Sequence, residues 1–417
     1  MSTATPHPLS IRDFRFFLTA RFASTLAQNA MVVVIGWQVY DIARRTMGQR
    51  EAALQLGYVG LIQFVPLLAL TLVVGWTADH LDRRWIARAA VTLEAACALI
   101  LGLLTWHGST TLGDLFIVAG LLGVARAFAS PALQALAPNL VPRETLPAAI
   151  ALSSIAWQAG AIAGPAVGGL LYAVRPHLPY SMAGVLFMIA LACLLLIRPV
   201  PRPEVDDSTT PWKRMVEGLS YVRRNRLVFG AISLDLFAVL LGGVTAMLPI
   251  YARDILMVGP AGVGALRMAP AVGAVLIASW FSIRPLRTNV GVKMLFAVGV
   301  FSVSTVAFGL SRWMPLSLAC LVLLGAADMF SVYVRQSLVQ LYTPDEMRGR
   351  VGAVSTLFVS ASNELGEARS GLFAALIGPV AAVVVGGIGA VGVTLLWAKW
   401  FPELRRARTF EPPESFE

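Results

Sequence analysis

Residues 121–170 read LLGVARAFASPALQALAPNLVPRETLPAAIALSSIAWQAGAIAGPAVGGL, and residues 323–372 read LLGAADMFSVYVRQSLVQLYTPDEMRGRVGAVSTLFVSASNELGEARSGL. Aligned at a shift of 202 residues and without a gap, the two are identical at sixteen of fifty positions. The shared positions include Gly123/Gly325, Phe128/Phe330, Gln134/Gln336, Pro142/Pro344, Glu144/Glu346, Ser153/Ser355, Gly164/Gly366 and Gly169/Gly371. Matching Ala and Leu content does not account for that agreement, so the chain carries an internal duplication.

The composition says what is duplicated. The 417 residues are 57% hydrophobic and 13% charged, and mean hydropathy is +0.73. Soluble domains carry about 25% charged residues. A spanning helix needs about 20 apolar residues. Runs of that length lie at 18–41, 54–78, 85–106, 112–137, 146–173, 179–198, 227–251, 262–283, 291–311, 315–340, 350–377 and 380–400. The duplicated stretch covers spans four and five and again spans ten and eleven. The expectation is an all-α membrane protein of twelve transmembrane helices in two pseudo-symmetric six-helix bundles. The bundles fall at 1–199 and 226–417. A polar cytoplasmic linker at 200–225 joins them, its second half suited to a surface amphipathic helix. A transporter built from repeats places its substrate site near the midplane between them.

Charge placement sets the orientation. With the N-terminus inside, the inner segments hold 22 basic residues and the outer loops hold 6. The positive-inside rule then puts both termini and the linker in the cytoplasm. It also accounts for the net charge of +10 with no nucleic-acid partner. The N-terminus has no signal-peptide pattern. Cys97, Cys193 and Cys320 all sit in apolar runs and read as core residues. The four histidines lie in loops or the tail, so no metal site and no catalytic set is expected. The string GIGAVG at 387–392 matches a dinucleotide pattern only as text, because it lies inside span twelve without strand context.

Two glycine-bearing stretches carry more specific information. GWTADHLDRRW, residues 75–85, joins spans two and three. Asp79 at a helix end is placed to latch against a neighbouring helix terminus or Arg83; the plainer reading is a basic loop that fixes topology. In GAIAGPAVGG, Gly160, Gly164 and Gly168 share one helix face and permit close approach, while Pro165 removes a backbone hydrogen bond. With Gly169 they read as a pivot or as static close packing.

Gly75, Asp79, Arg83 and Arg84 resemble the cytoplasmic loop signature of the major facilitator superfamily, with Asp82 where that pattern prefers glycine and His80 where it prefers arginine. The span-five glycines resemble the motif of its antiporter branches. The phrases SPALQALAPNLVPRETLPAAIAL, ALRMAPAVGA, GAADMFSVYVRQ and SNELGEARSGL resemble its enterobactin-exporter-like branch, also called transmembrane secretion effectors. The resemblance covers residues 10–400. It implies a non-enzymatic secondary active transporter that exports a small amphipathic molecule, siderophore-like or drug-like, by alternating access. A lysolipid flippase or solute importer on the same fold is the alternative. No P-loop is present, so proton-motive force is the expected drive, with no bound cofactor and the monomer as the working unit.

Ionisable groups inside spans are costly, at roughly 2.5–3.5 kcal/mol on insertion scales, and each is a functional candidate. They are Arg21, Glu94, Arg126, Asp235, Arg267, Asp328, Arg335, Glu364, Glu367 and Arg369. Arg126 and Asp328 are repeat equivalents, each about 18 Å into its helix at 1.5 Å per residue, and form a candidate pair across a central cavity. Asp235, Glu364 and Glu367 are the candidates for proton coupling. Glu364 and Glu367 are three residues apart and share a face; Arg267 and Arg369 lie nearer the outer side. Structural ion pairing is the other reading of the whole set. Gln28, Asn29, Trp37, Gln63, Gln158 and Asn363 are candidate cavity-lining residues, packing being the alternative.

Overall fold

The computed structural model describes residues 7–142, 145–199, 211–284, 286 and 288–410. Six helices fill the first half: α1 (Arg12–Thr46), α2 (Gln49–His80), α3 (Arg83–His107), α4 (Leu112–Leu136), α5 (Leu146–Val174) and α6 (Leu178–Leu196). A linker helix α7 (Pro211–Arg224) leads into α8 (Arg226–Gly242). Then come α9 (Gly259–Ile283), α10 (Val290–Leu310), α11 (Met314–Leu341), α12 (Asp345–Ile377), α13 (Pro379–Trp400) and a short α14 (Pro402–Arg406). Among the described residues, eleven helical stretches are long and apolar enough to cross a membrane. The remaining expected span, the eleventh at 350–377, is α12, which is 33 residues long and carries the polar stretch 362–370 in its interior.

Helix ends follow local chemistry. The Asp82 carboxylate accepts from the Arg84 amide and caps α3, which ends at Gly108 with φ of 69°. Thr111 and Asp114 form a reciprocal capping box at the start of α4, satisfying two backbone donors. The Asn225 side chain caps α8. The expected amphipathic linker helix is α7. Its Gly218 packs on the Arg350 backbone of α12, Glu217 pairs with Arg350 at 2.8 Å, and the Tyr221 hydroxyl donates to the Tyr342 carbonyl at 2.7 Å.

The chain packs as two units. The first holds α1 up to Ile42, the chain from Ile62 through α6, and Gly259–Ala265. The second holds Ala43–Leu61, α7, α8, the rest of α9 and everything after it. The duplication is visible in how glycines pack. Gly123 on α4 lies against the backbone of Gln63 on α2, and its repeat partner Gly325 on α11 lies against the backbone of Pro270 on α9. Gly169 on α5 meets Gly264 on α9, and its repeat partner Gly371 on α12 meets Gly57 on α2. Gln63 and Pro270 are separated by the same number of residues as Gly57 and Gly264, so α2 and α9 are themselves repeat equivalents.

Span seven departs from the continuous helix expected over 227–251. The helix stops at Gly242, and Gly243 is extended with φ of −63° and ψ of 120°. A 3₁₀ turn (Thr245–Met247), one α turn (Leu248–Ile250) and a π turn (Tyr251–Ile255) follow. A break in a span leaves carbonyls that must find other donors. Arg369 Nη2 donates to the Leu241 carbonyl at 2.6 Å. Thr305 Oγ1 donates to Gly242 at 3.3 Å, and Ser370 Oγ donates to Gly243 at 3.1 Å. Part of the charged stretch in α12 therefore exists to close the broken end of α8. Gly386 on α13 has no side chain where one would strike the Leu241 carbonyl and the Arg369 guanidinium.

Candidate functional site

The second unit carries a buried ionic cluster. Asp235 lies inside α8 and is 5% exposed; Arg335 lies on α11 and is 3% exposed. Arg335 Nη1 stands 3.2 Å from Asp235 Oδ2. Asp328 is seven residues before Arg335, two turns along the same face of α11. Ser331 lies between them. Asp235, Asp328 and Ser331 line one small cavity with Ala238, Val239 and Phe301. Ser331 Oγ and Arg335 Nε are buried with no hydrogen-bond partner. Arg335 pairs with Asp235, and the half-buried Asp328 lies within electrostatic reach of both, so the three groups together are neutral only when one acid carries a proton. In a low-dielectric interior a net charge is expensive, which makes this arrangement able to take up and release a single proton.

The other candidates on α12 are arranged differently. Glu367 Oε1 lies 3.9 Å from Arg267 Nη1 on α9, and both side chains are about a quarter exposed, 28% and 27%. The arginine that attends Glu367 is thus Arg267, while Arg369 donates to the Leu241 carbonyl of α8 and to Ser370 Oγ. Glu364 is half-buried and Asn363 exposed. Gly60 on α2 packs onto the Glu364 carbonyl and the Glu367 Cβ, so α2 approaches α12 closely at this level.

In the first unit, Gln28 on α1 donates its amide to Glu94 Oε1 on α3. Glu94 is 0% exposed. Arg126 Nη1 on α4 donates to Gln63 Oε1 at 3.0 Å. Arg126 and Asp328, the two members of the candidate pair, therefore each have polar company inside their own unit. Asn29 donates to the Thr25 carbonyl, Trp37 is buried and Gln158 is half-buried. The α5 glycines seat α1: Gly160 lies against Phe22, Thr25 and Leu26, Gly164 against Leu26 and Asn29, and Gly168 against Ala30. Another face of α5 meets α9: the Pro165 carbonyl and Gly169 both lie against Gly264.

The surroundings of Gly75 and the side chain of Asp79 lie outside the described residues. The basic half of that loop is described. Arg84 pairs with Asp82 at 2.6 Å and donates to the Ile197 carbonyl. Arg88 donates to the Leu194 carbonyl at 2.9 Å. Cations at the C-terminal carbonyls of α6 complement its dipole. The Arg84 hydrogen bond holds the Asp82 carboxyl below its ordinary range.

Three side chains were legible in sequence only as in-span charges. Arg335 is the partner of Asp235, and its spacing of two turns from Asp328 was the available signal. Arg369 closes α8, and Glu94 is an acid of the first unit with no exposed surface. Their roles depend on contacts across helices that spacing does not reveal.

A family model described as Major Facilitator Superfamily matches residues 15–367. The enterobactin exporter EntS of Escherichia coli O1:K1 is 26% identical over 419 aligned residues, covering 99% of this chain and 96% of that protein. The enterobactin exporter EntS of Citrobacter koseri is 28% identical over 420 residues with the same coverage. Among solved structures, a bacterial homologue of the lysosomal transporter Spinster aligns with a TM-score of 0.72 at 14% identity, over 94% of this chain and 98% of that one. A D-xylose-proton symporter aligns with a TM-score of 0.69 at 15% identity, over 96% and 99%.

Proposed function

This chain belongs to the major facilitator superfamily of membrane transporters, and we propose that within it the protein is a proton-driven exporter of a small amphipathic molecule, siderophore-like in class. The observation that carries the drive is the Asp235–Arg335–Asp328 cluster: two acids line one cavity, and a buried cation stands against the first of them. A proton taken up there neutralises the cluster; its release leaves a net negative charge that favours a different packing of α8 against α11. Export as the direction, and a siderophore-like solute as cargo, are supported by the full-length relatives named as enterobactin exporters. Alternating access fits the glycine seams of α5 and α12, which allow close-packed helices to roll without displacing side chains. Glu364 remains a second coupling candidate, and Arg126 with Asp328 a candidate pair when the halves rock. The basic asymmetry supports both termini on the cytoplasmic side of a bacterial inner membrane; the working unit in this reading is the monomer.

The test is metabolite profiling of cytosol and culture medium from a deletion strain, with and without iron limitation. The expected result is an amphipathic iron-binding solute retained in the cytosol and depleted from the medium. The gene for the parent protein restores its release, and the Asp235→Asn form does not. A medium unchanged by the deletion contradicts export.

A further inference from the structure

Glu94 has no exposed surface and sits in the middle of α3. Its Oε1 accepts from Gln28 on α1. Its Oε2 is buried with no hydrogen-bond partner. An ionised carboxylate offers about four acceptor sites, and burying one with a single donor carries a large desolvation cost. A protonated carboxyl in the same place forgoes only one neutral hydrogen bond. Arg126 on α4 lies close enough to act on Glu94 electrostatically, and gives Nη1 to Gln63 on α2. The sequence of α6 holds no ionisable group other than Tyr180 and Cys193, Cys97 is the titratable neighbour on α3, and Arg21 on α1 donates to the Ser153 carbonyl.

We infer that Glu94 is the proton-carrying residue of the first unit, protonated when Gln28 holds it and paired with Arg126 when the proton has left to water. The group it exchanges is a proton and not a solute, because no part of it meets an open surface. On ionisation the Arg126 guanidinium turns toward Glu94 and its bond to Gln63 is given up. Glu94 stands on α3 and Gln28, Gln63 and Arg126 on α1, α2 and α4, so one proton resets contacts among four helices. Gly123 packs α4 onto the backbone of Gln63 itself, which transmits the change to α2. Coupling of this step to export rests on the exporter reading above; the protonation does not.

Infrared difference spectroscopy of the purified full-length protein through a pH titration reads the group directly. The expected result is a protonated-carboxyl C=O band that loses one component in Glu94→Gln. In Gln28→Leu the same component moves to higher frequency, because its amide donor is gone. A band unchanged in Glu94→Gln overturns the inference, and so does a frequency unmoved in Gln28→Leu, which reads the same group if the first variant does not fold. In liposomes, Glu94→Gln is expected to lower the protons moved per solute. A parent that pumps alongside a Glu94→Gln form with an unchanged ratio overturns the coupling and leaves the exporter reading intact. A parent that moves no solute overturns the exporter reading and leaves the infrared result to stand alone.

Discussion

Gly169 and Gly371 occupy the same position in the two copies of the duplication, and each meets a glycine of a second helix, Gly264 for one and Gly57 for the other. A Cβ on Gly169 would lie 2.7 Å from the Pro260 carbonyl and 3.0 Å from Gly264 Cα. A Cβ on Gly371 would strike the Gly57 backbone and lie 3.0 Å from the Ala53 carbonyl. Backbone cannot rotate away as a side chain can. Gly371→Ala and Gly169→Ala are each expected to cost about 1–3 kcal/mol by overpacking. Gly392→Ala, with nothing near its added Cβ, is expected to be neutral or to stabilise by about 0.5–1 kcal/mol. Thermal melting of the three variants in detergent checks the ranking; equal melting temperatures contradict it.

The pair Arg335–Asp235 is buried on both sides. Arg335→Leu leaves two acids without a cation and is expected to lower stability by roughly 3–5 kcal/mol. Adding Asp235→Leu removes one stranded acid and is expected to recover a large part of that loss. A double-mutant cycle on melting temperature measures the coupling. Zero coupling means that the pair is not an energetic unit.

Arg369 and Ser370 close the broken end of α8. Arg369→Leu leaves the Leu241 carbonyl without its donor, a loss of about 1–3 kcal/mol. Hydrogen exchange should rise in the segment 240–247 first, with less effect on α13. Exchange that rises uniformly through the second unit would contradict a local capping role.

Asp82 gives a pH-dependent contribution outside the membrane. Its carboxyl is held below the ordinary aspartate range, first by the Arg84 hydrogen bond. A depressed acid stabilises the folded form above its unfolded value, and that contribution is lost as pH falls through the folded value. The melting-temperature difference between the parent and Asp82→Asn should therefore be present at neutral pH and vanish in acid. The site is partly exposed, so salt should shrink it as well. A difference that is constant from neutral to acid pH would assign the effect to capping alone.

The sequence made the architecture legible for physical reasons. Apolar runs of spanning length are long-period signals that survive without any knowledge of contacts, and the duplication is read directly at Gly123/Gly325 and Gly169/Gly371. The amphipathic character of α7 was readable for the same reason. The break after Gly242 was not, although the glycine pair is visible. A broken span is stable only where donors reach its carbonyls, and these come from Thr305, Arg369 and Ser370, more than 60 residues further on. Asp235 stood out as a charge in a span, but its partner lies 100 residues away on α11. Glu94 was hidden among the other in-span charges because what distinguishes it is an unpartnered oxygen, a property of packing.

The most direct measurement is simultaneous solute and proton flux in liposomes holding the full-length protein under an imposed pH gradient, with enterobactin as the first probe and cationic amphipathic dyes as the second. Uphill solute movement with proton counterflow is expected in the parent. Asp235→Asn should lose uphill movement while retaining downhill exchange, because the neutral amide keeps the cavity but cannot cycle a proton. An Asp235→Asn, Asp328→Asn double variant that still pumps uphill with the parent's proton flux would contradict the claim that this cluster couples proton entry to export.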